Sequence, residues 1–174
     1  MINTLTEVYA AIVGRLREKF NNKVDLIEVY SPLSPTPEVV AMLLALENMA
    51  IEQSAGDGRV CALCDFSISA LLPVTGYSLE QVSVAASNYA AALLQFIYNN
   101  KWGLGKDIGL PESISAQPAL FEPGHTGYES WRITWGQSVY LGQYDKGVNF
   151  LPDIVKYNAS PERGKKHKDN YVRI

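Results

Sequence analysis

Cys61 and Cys64 stand in a C-x-x-C, a spacing that serves zinc binding or dithiol exchange when both thiols reach one point. The stretch around them, Arg59 to Leu72, alternates like an extended strand. Val60, Ala62, Cys64, Phe66, Ile68, Ala70 and Leu72 fall on one side, and Arg59, Cys61, Asp65, Ser67 and Ser69 on the other. Residues three apart in a strand point to opposite faces, so these thiols neither chelate one ion nor bridge. There is no second cysteine pair, and the only histidines are His125 and His167. No metal site is expected. Gly103-Leu104-Gly105-Lys106 has the outline of a phosphate loop, but Asn100 stands where the first glycine belongs and Asp107 where Ser or Thr belongs. It also follows a helical pattern rather than a strand, so no phosphate or cofactor site is expected. His125, near Glu122, Tyr128 and Glu129, is the one conceivable acid–base cluster, and it reads as a solvated turn histidine because catalysis needs an orienting partner as well. Asn158-Ala159-Ser160 matches a glycosylation sequon, which matters only for a secreted chain. No catalytic residue is expected.

Trp131 and Trp135 could stack bases. They share one pleat face with Ile133, Val139 and Leu141, while Arg132, Thr134, Ser138 and Tyr140 take the other, and no basic residues interleave on the apolar side. The expectation is core, because each indole removes about 150–250 Å² from water. The expected core is Trp131, Ile133 and Trp135 from this strand, Phe66 from the strand before it and Leu93 from a helix.

The elements that must hold these residues follow from period and punctuation. Thr4–Phe20 is read as an amphipathic helix with Leu5, Val8, Tyr9, Ile12, Leu16 and Phe20 on one stripe and a Thr4/Glu7 capping box. Val24–Tyr30 reads as a strand. Ser31–Pro37, with three prolines, is a stiff surface connection. Glu38–Gln53 is ambiguous, since its Ala, Leu, Met and Glu favour a helix while Gly56-Asp57-Gly58 before the next strand favours a hairpin. Ser78 and Gln81 form a second capping box, with Tyr77 stapled on Val82, for a helix buried along Val82, Ala86, Tyr89, Leu93, Phe96 and Ile97 and ending near Asn99–Gly103. Ile114–Phe121 reads as a strand that Pro118 places at an edge or bulge. The expected class is α+β, a single antiparallel or mixed sheet with two helices on one face. Residues 1–142 form the domain and residues 143–174 an irregular extension.

At 174 residues the chain suits one domain, which buries roughly 70% of its unfolded surface. No apolar run approaches the ~18 residues of a membrane span, and MINTLTEVYA lacks the features of a secretory signal, so a cytoplasmic, non-membrane protein is expected. The net charge of −3 divides unevenly. Residues 160–174 hold five basic and two acidic groups, leaving an acidic body. That distribution disfavours a dedicated nucleic-acid groove, and the basic end reads as a solvated tail.

Several stretches together resemble the tail terminator proteins of contractile-tailed, Mu-like phages and prophages. They are VDLIEVYSPLSPTPEVV, GRVCALCDFSISALL, SLEQVSVAASNYAAALLQFIYNNKWG, and ISAQPALFEPGHTGYESWRITWGQSVYLG with its W-x-I-x-W strand ending in Leu-Gly, covering roughly residues 3–142. The resemblance implies a strand over Val39–Ile51, hence the order α-β-β-β-α-β-β. It also implies structural work without cofactors: a homohexameric ring capping the tail tube, with the tail tube protein and the head–tail connector as partners and DNA passing unread through the lumen. The host cytoplasm is the implied site of assembly, and the virion tail the destination. Subunit contacts are then expected where apolar or proline-rich loops are exposed, at Ser31–Pro37, the Trp102–Pro111 connection and the turn around His125, with Pro32, Pro35, Pro37, Leu104, Lys106 and His125 as candidates. Another neck, head–tail joining or baseplate component is the alternative. A small enzyme using Glu129, His125 and Asp65 is a remote one.

Overall fold

The computed structural model describes residues 1–32, 38–52, 56–74, 79–119 and 128–143, together with 156–157 and 172–173. Pro35, Pro37 and His125 lie outside them. So do Tyr77 and Ser78 of the second capping box. The chain divides into two compact units, Met1–Tyr144 and Asp145–Ile174.

The first unit runs α1 (Leu5–Phe20), β1 (Leu26–Val29), β2 (Ala41–Ile51), β3 (Val60–Pro73), α2 (Leu79–Ile97), a 3₁₀ turn (Gly105–Asp107), β4 (Glu112–Pro118) and β5 (Tyr128–Leu141). Its sheet is ordered β1-β2-β3-β5-β4, with β1 parallel to β2 and every other neighbour antiparallel. The protein is therefore α+β with a five-stranded mixed sheet. The second unit, read from sequence as irregular, contains the antiparallel pair β6 (Lys156–Tyr157) and β7 (Val172–Arg173).

Sheet context decides the ambiguous segment. Ala41–Ile51 is a strand between β1 and β3, although its composition suits a helix. Gly56 and Gly58 at the end of the β2–β3 connection take positive φ, +76° and +85°, a conformation glycine adopts without a Cβ penalty. At α1 the expected capping box is replaced. Thr4 has N-cap backbone geometry, but its hydroxyl contacts the Glu7 carboxylate, and no side-chain cap bond forms. Pro118 ends β4, an edge strand with a register break between Glu112 and Ser115, as the proline required.

β3 and β5 pair in register from Val60↔Leu141 to Pro73↔Tyr128 and form the spine. Their helix-side residues, Ala62, Cys64, Phe66, Ile68, Ala70, Ile133, Trp135 and Val139, share one buried cluster with Ile12, Leu16 and Phe20 of α1 and Ala90, Leu93 and Ile97 of α2. Both helices thus cover the same face. Of the expected core, Phe66, Leu93, Ile133 and Trp135 are buried, while Trp131 is only partly so. Aromatic contacts run from helix to sheet and back. Tyr9 meets Phe66, Phe66 stacks on Trp135 at 5.5 Å, Trp135 meets Trp102, Trp102 meets Phe96, and Phe96 meets Phe20 of α1. Each such pair contributes about 0.5–1.5 kcal/mol beyond its buried area.

Gln137 closes this arrangement. It occupies an inward pleat position beside Trp135 and is 1% exposed. Its Oε1 accepts the indole N–H groups of Trp102 (2.8 Å) and Trp135 (3.1 Å), and its Nε2 donates to the carbonyls of Asn100 (3.1 Å) and Gly109 (2.9 Å). Indoles are donors only and carbonyls acceptors only, so an amide alone satisfies all four. The chain after α2 needs this anchor. Asn99 and Trp102 both sit at positive φ, 60° and 53°, which costs a non-glycine residue roughly 1–2 kcal/mol. Gln137→Ala leaves two buried indoles and two carbonyls unpaired and is expected to cost about 3–4 kcal/mol in urea unfolding followed by tryptophan fluorescence. Gln137→Glu must keep its single carboxyl proton to donate to even one of the two carbonyls, because a carboxylate would face both with acceptors alone. Its folded-state pKa is raised, so its stability is expected to fall as pH rises through that value, a loss the unsubstituted protein does not show.

Candidate functional site

The sheet face opposite the helices carries the polar half of every strand. At one end it is apolar, where Ala41, Leu43 and Leu71 are buried with Leu26 and Tyr128 packed on them. Toward the β2–β3 connection it is a field of paired polar side chains. A register shift between Leu46 and Asn48 inserts Glu47 as an extra residue, and its carboxylate lies on this face. There Glu47 accepts from the Ser67 hydroxyl and the Arg132 guanidinium. Hydrogen bonding from Ser67, the largest influence, and from Arg132 holds the Glu47 carboxyl below the usual range against its own burial. Asn48 Nδ2 donates to Asp65 (3.1 Å), and the Ser115 and Thr134 hydroxyls pair at 2.9 Å.

Beside this field, Glu52 accepts from the Cys61 thiol (3.5 Å) and the Ser138 hydroxyl (3.2 Å). Burial raises the Cys61 thiol, and the Glu52 carboxylate adds to the rise. Burial pushes Cys64 up to about 11, with Asp65 and Cys61 contributing. The two thiols lie on opposite sheet faces, as the strand reading required. Both are free, and neither environment stabilises a thiolate, so neither is set up as a nucleophile. Among the described residues no group of three His, Cys, Asp or Glu side chains is placed to hold a metal.

A charged cluster lies at the Leu141 end of the spine. Arg59, 5% exposed, donates to Asp57 (2.8 Å) and Asp107 (2.8 Å) and lies over the Tyr140 ring at 5.0 Å. Asp107 also holds the Met1 ammonium at 2.6 Å. That ammonium is the first cause of a depressed Asp107 pKa, opposed by burial and aided by Arg59. In the Gly105–Lys106 turn the Asp107 N–H is spent on the Leu104 carbonyl, and the Asp107 carboxylate is spent on Arg59 and the Met1 ammonium.

The loop positions expected to make subunit contacts separate. Pro32 and Lys106 are exposed, whereas Leu104 is half-buried against the main core. The 102–111 connection, expected as an exposed apolar loop, instead buries Trp102, Asp107 and Ile108. Asp65 and Glu129 are not brought together. Glu129 pairs with Leu72, seven residues along β3 from Asp65, which is about 23 Å of strand. Gln137 and the Arg59–Asp107 pair escaped the sequence reading. The first had a visible signal, a polar residue at a pleat position between Trp135 and Val139. The second joins residues distant in sequence and had none.

No protein-family model matches the chain, and no curated protein matches it. One solved structure is similar to it over 80% of this chain and 98% of its own, at 18% identity and a TM-score of 0.48. A likeness at that level carries no argument about fold or function. No helix among the described residues is long and apolar enough to cross a membrane.

Two outcomes follow from the electrostatics. In mildly alkaline buffer both thiols should resist iodoacetamide in the folded protein and react fully in denaturant, as read by intact mass. Asp107 and Glu47 contribute stability above the unfolded carboxylate pKa, and this is lost as pH falls through their depressed folded values. Asp107→Asn should therefore cost about 2 kcal/mol near neutral pH and almost nothing in strong acid, measured by denaturant unfolding at each pH.

Proposed function

We propose that this chain is a structural protein of the tail-terminator kind, a subunit of a ring that ends a phage tail tube and presents a surface to the head-side connector. The observation that carries the reading is the set of stretches resembling those proteins. GRVCALCDFSISALL contributes β3, SLEQVSVAASNYAAALLQFIYNNKWG contributes α2 and the Trp102 turn, and ESWRITWGQSVYLG contributes β5. These are the elements that meet around Trp135, so the resemblance falls on one connected core rather than on scattered surface residues.

The chemistry of the second sheet face agrees with structural work. Its carboxylates are engaged by Ser67, Arg132, Asn48, Cys61 and Ser138. Cys61 on this face and Cys64 on the helix side are both held protonated, and Asp65 and Glu129 stand far apart. A ring subunit needs side chains that fix strand positions and present stable surfaces, which is what such pairing does. A six-fold ring also requires a heterologous, closing interface. Exposed Pro32 and Lys106 remain the described candidates for it.

Light scattering on a sizing column with negative-stain imaging of the same peak tests the reading. The expected species has about six times the 19.2 kDa chain mass and shows a central hole. A mass no greater than a dimer at every concentration, with and without tail tubes present, would sink it.

A further inference from the structure

β2 is longer than its neighbour. β1 covers only Ala41–Leu44, and the last bond on that side runs from the Tyr30 N–H to the Leu44 carbonyl at 2.7 Å. The Leu46 backbone is then taken by the Tyr9 hydroxyl. Beyond it the Glu52 N–H donates inward to Cys61 (2.9 Å), so strand alternation turns the N–H and C=O groups of Met49 and Ile51 outward, away from β3. Their side chains are exposed as well, 50% and 80%, and Val60 nearby is 45% exposed. Among the described residues this edge is unpaired, and it carries an apolar face.

The two ends of the sheet differ. The β4 edge carries the devices that discourage pairing, a left-handed Ser113, a register break and Pro118. Between Asn48 and Glu52 the β2 edge has neither proline nor lysine, and its bulge lies before the stretch rather than in it.

We infer that this edge pairs two copies of the chain, antiparallel, about a two-fold axis through Ala50. A two-fold contact must be self-complementary, and this register makes it so. Met49 of one copy lies opposite Ile51 of the second, and Ile51 opposite its Met49, so the outward backbone groups of both residues exchange bonds while the apolar side chains meet. On the other face Ala50 meets Ala50, and Glu52 comes opposite Asn48, so no like charges face one another. Glu47 is held back by Ser67 and Arg132 of its own chain. The two five-stranded sheets become one of ten strands. A strip this short gives a weak, concentration-dependent dimer, since stable interfaces bury about 1,200–2,000 Å². The contact is independent of the ring reading, because it joins copies two by two and uses none of the loops expected to close a ring.

Sedimentation velocity over a wide concentration range tests it on the full chain, with Ile51→Lys and Met49→Lys as variants and thermal unfolding as the fold control. The expected result is reversible pairing that weakens at least tenfold in either variant at unchanged melting temperature. Directly opposed residues of a non-hydrogen-bonded pair stand about 4.5–5.5 Å apart, so Ala50→Cys should oxidise to a disulfide-linked dimer much faster than a Gln95→Cys control on exposed α2. No pairing at any concentration overturns the inference. So does pairing untouched by Ile51→Lys, or linkage of Ala50→Cys no faster than the control.

Discussion

The amide of Gln137 is the constraint on which the first unit depends. Its four hydrogen bonds hold together the end of α2, the strained Trp102 turn, the 3₁₀ connection and the inner strand β5. Without that anchor the two indoles would carry unpaired donors into the buried core, where an unmade hydrogen bond costs most. With it, Trp102 and Trp135 become the link between sheet and helices, and the aromatic series from Tyr9 to Phe20 can close. A polar group thus organises a core whose driving force is apolar.

The second sheet face follows another logic. Its polar side chains are matched with one another across strands, often between residues far apart in sequence, such as Glu47 with Arg132 and Glu52 with Ser138. Glu47, at the register shift of β2, reaches across β3 to Arg132 of β5. Such pairs fix register, because a one-residue slip would separate each of them. They also leave the face with few groups free to do chemistry. The terminator reading rests on sequence stretches that coincide with this well-determined body.

Much of the architecture was legible because period and punctuation agreed. The alternation in β3 and β5, the alanine-rich stripe of α2 and the proline at the end of β4 each pointed to the observed element. Ala41–Ile51 was not legible locally, since its residues suit a helix and only pairing with β1 and β3 makes them a strand. The Thr4 capping box failed because its hydroxyl contacts the Glu7 side chain instead of a backbone amide. The 102–111 connection looked exposed because turn residues dominate it, and nothing local announces that Trp102 reaches a glutamine on β5. The Arg59–Asp107 pair lay beyond sequence reading for a related reason, as it depends on how the 3₁₀ turn folds back beside β3.

The most direct test of the structural role is tube length. Purified chain would be added to polymerising tail tube protein from the same phage or prophage, and the length distribution measured by electron microscopy. The account predicts that growth stops early, with shorter tubes carrying extra density at one end. Tubes of unchanged length, with the chain left entirely in the unbound fraction, would contradict it.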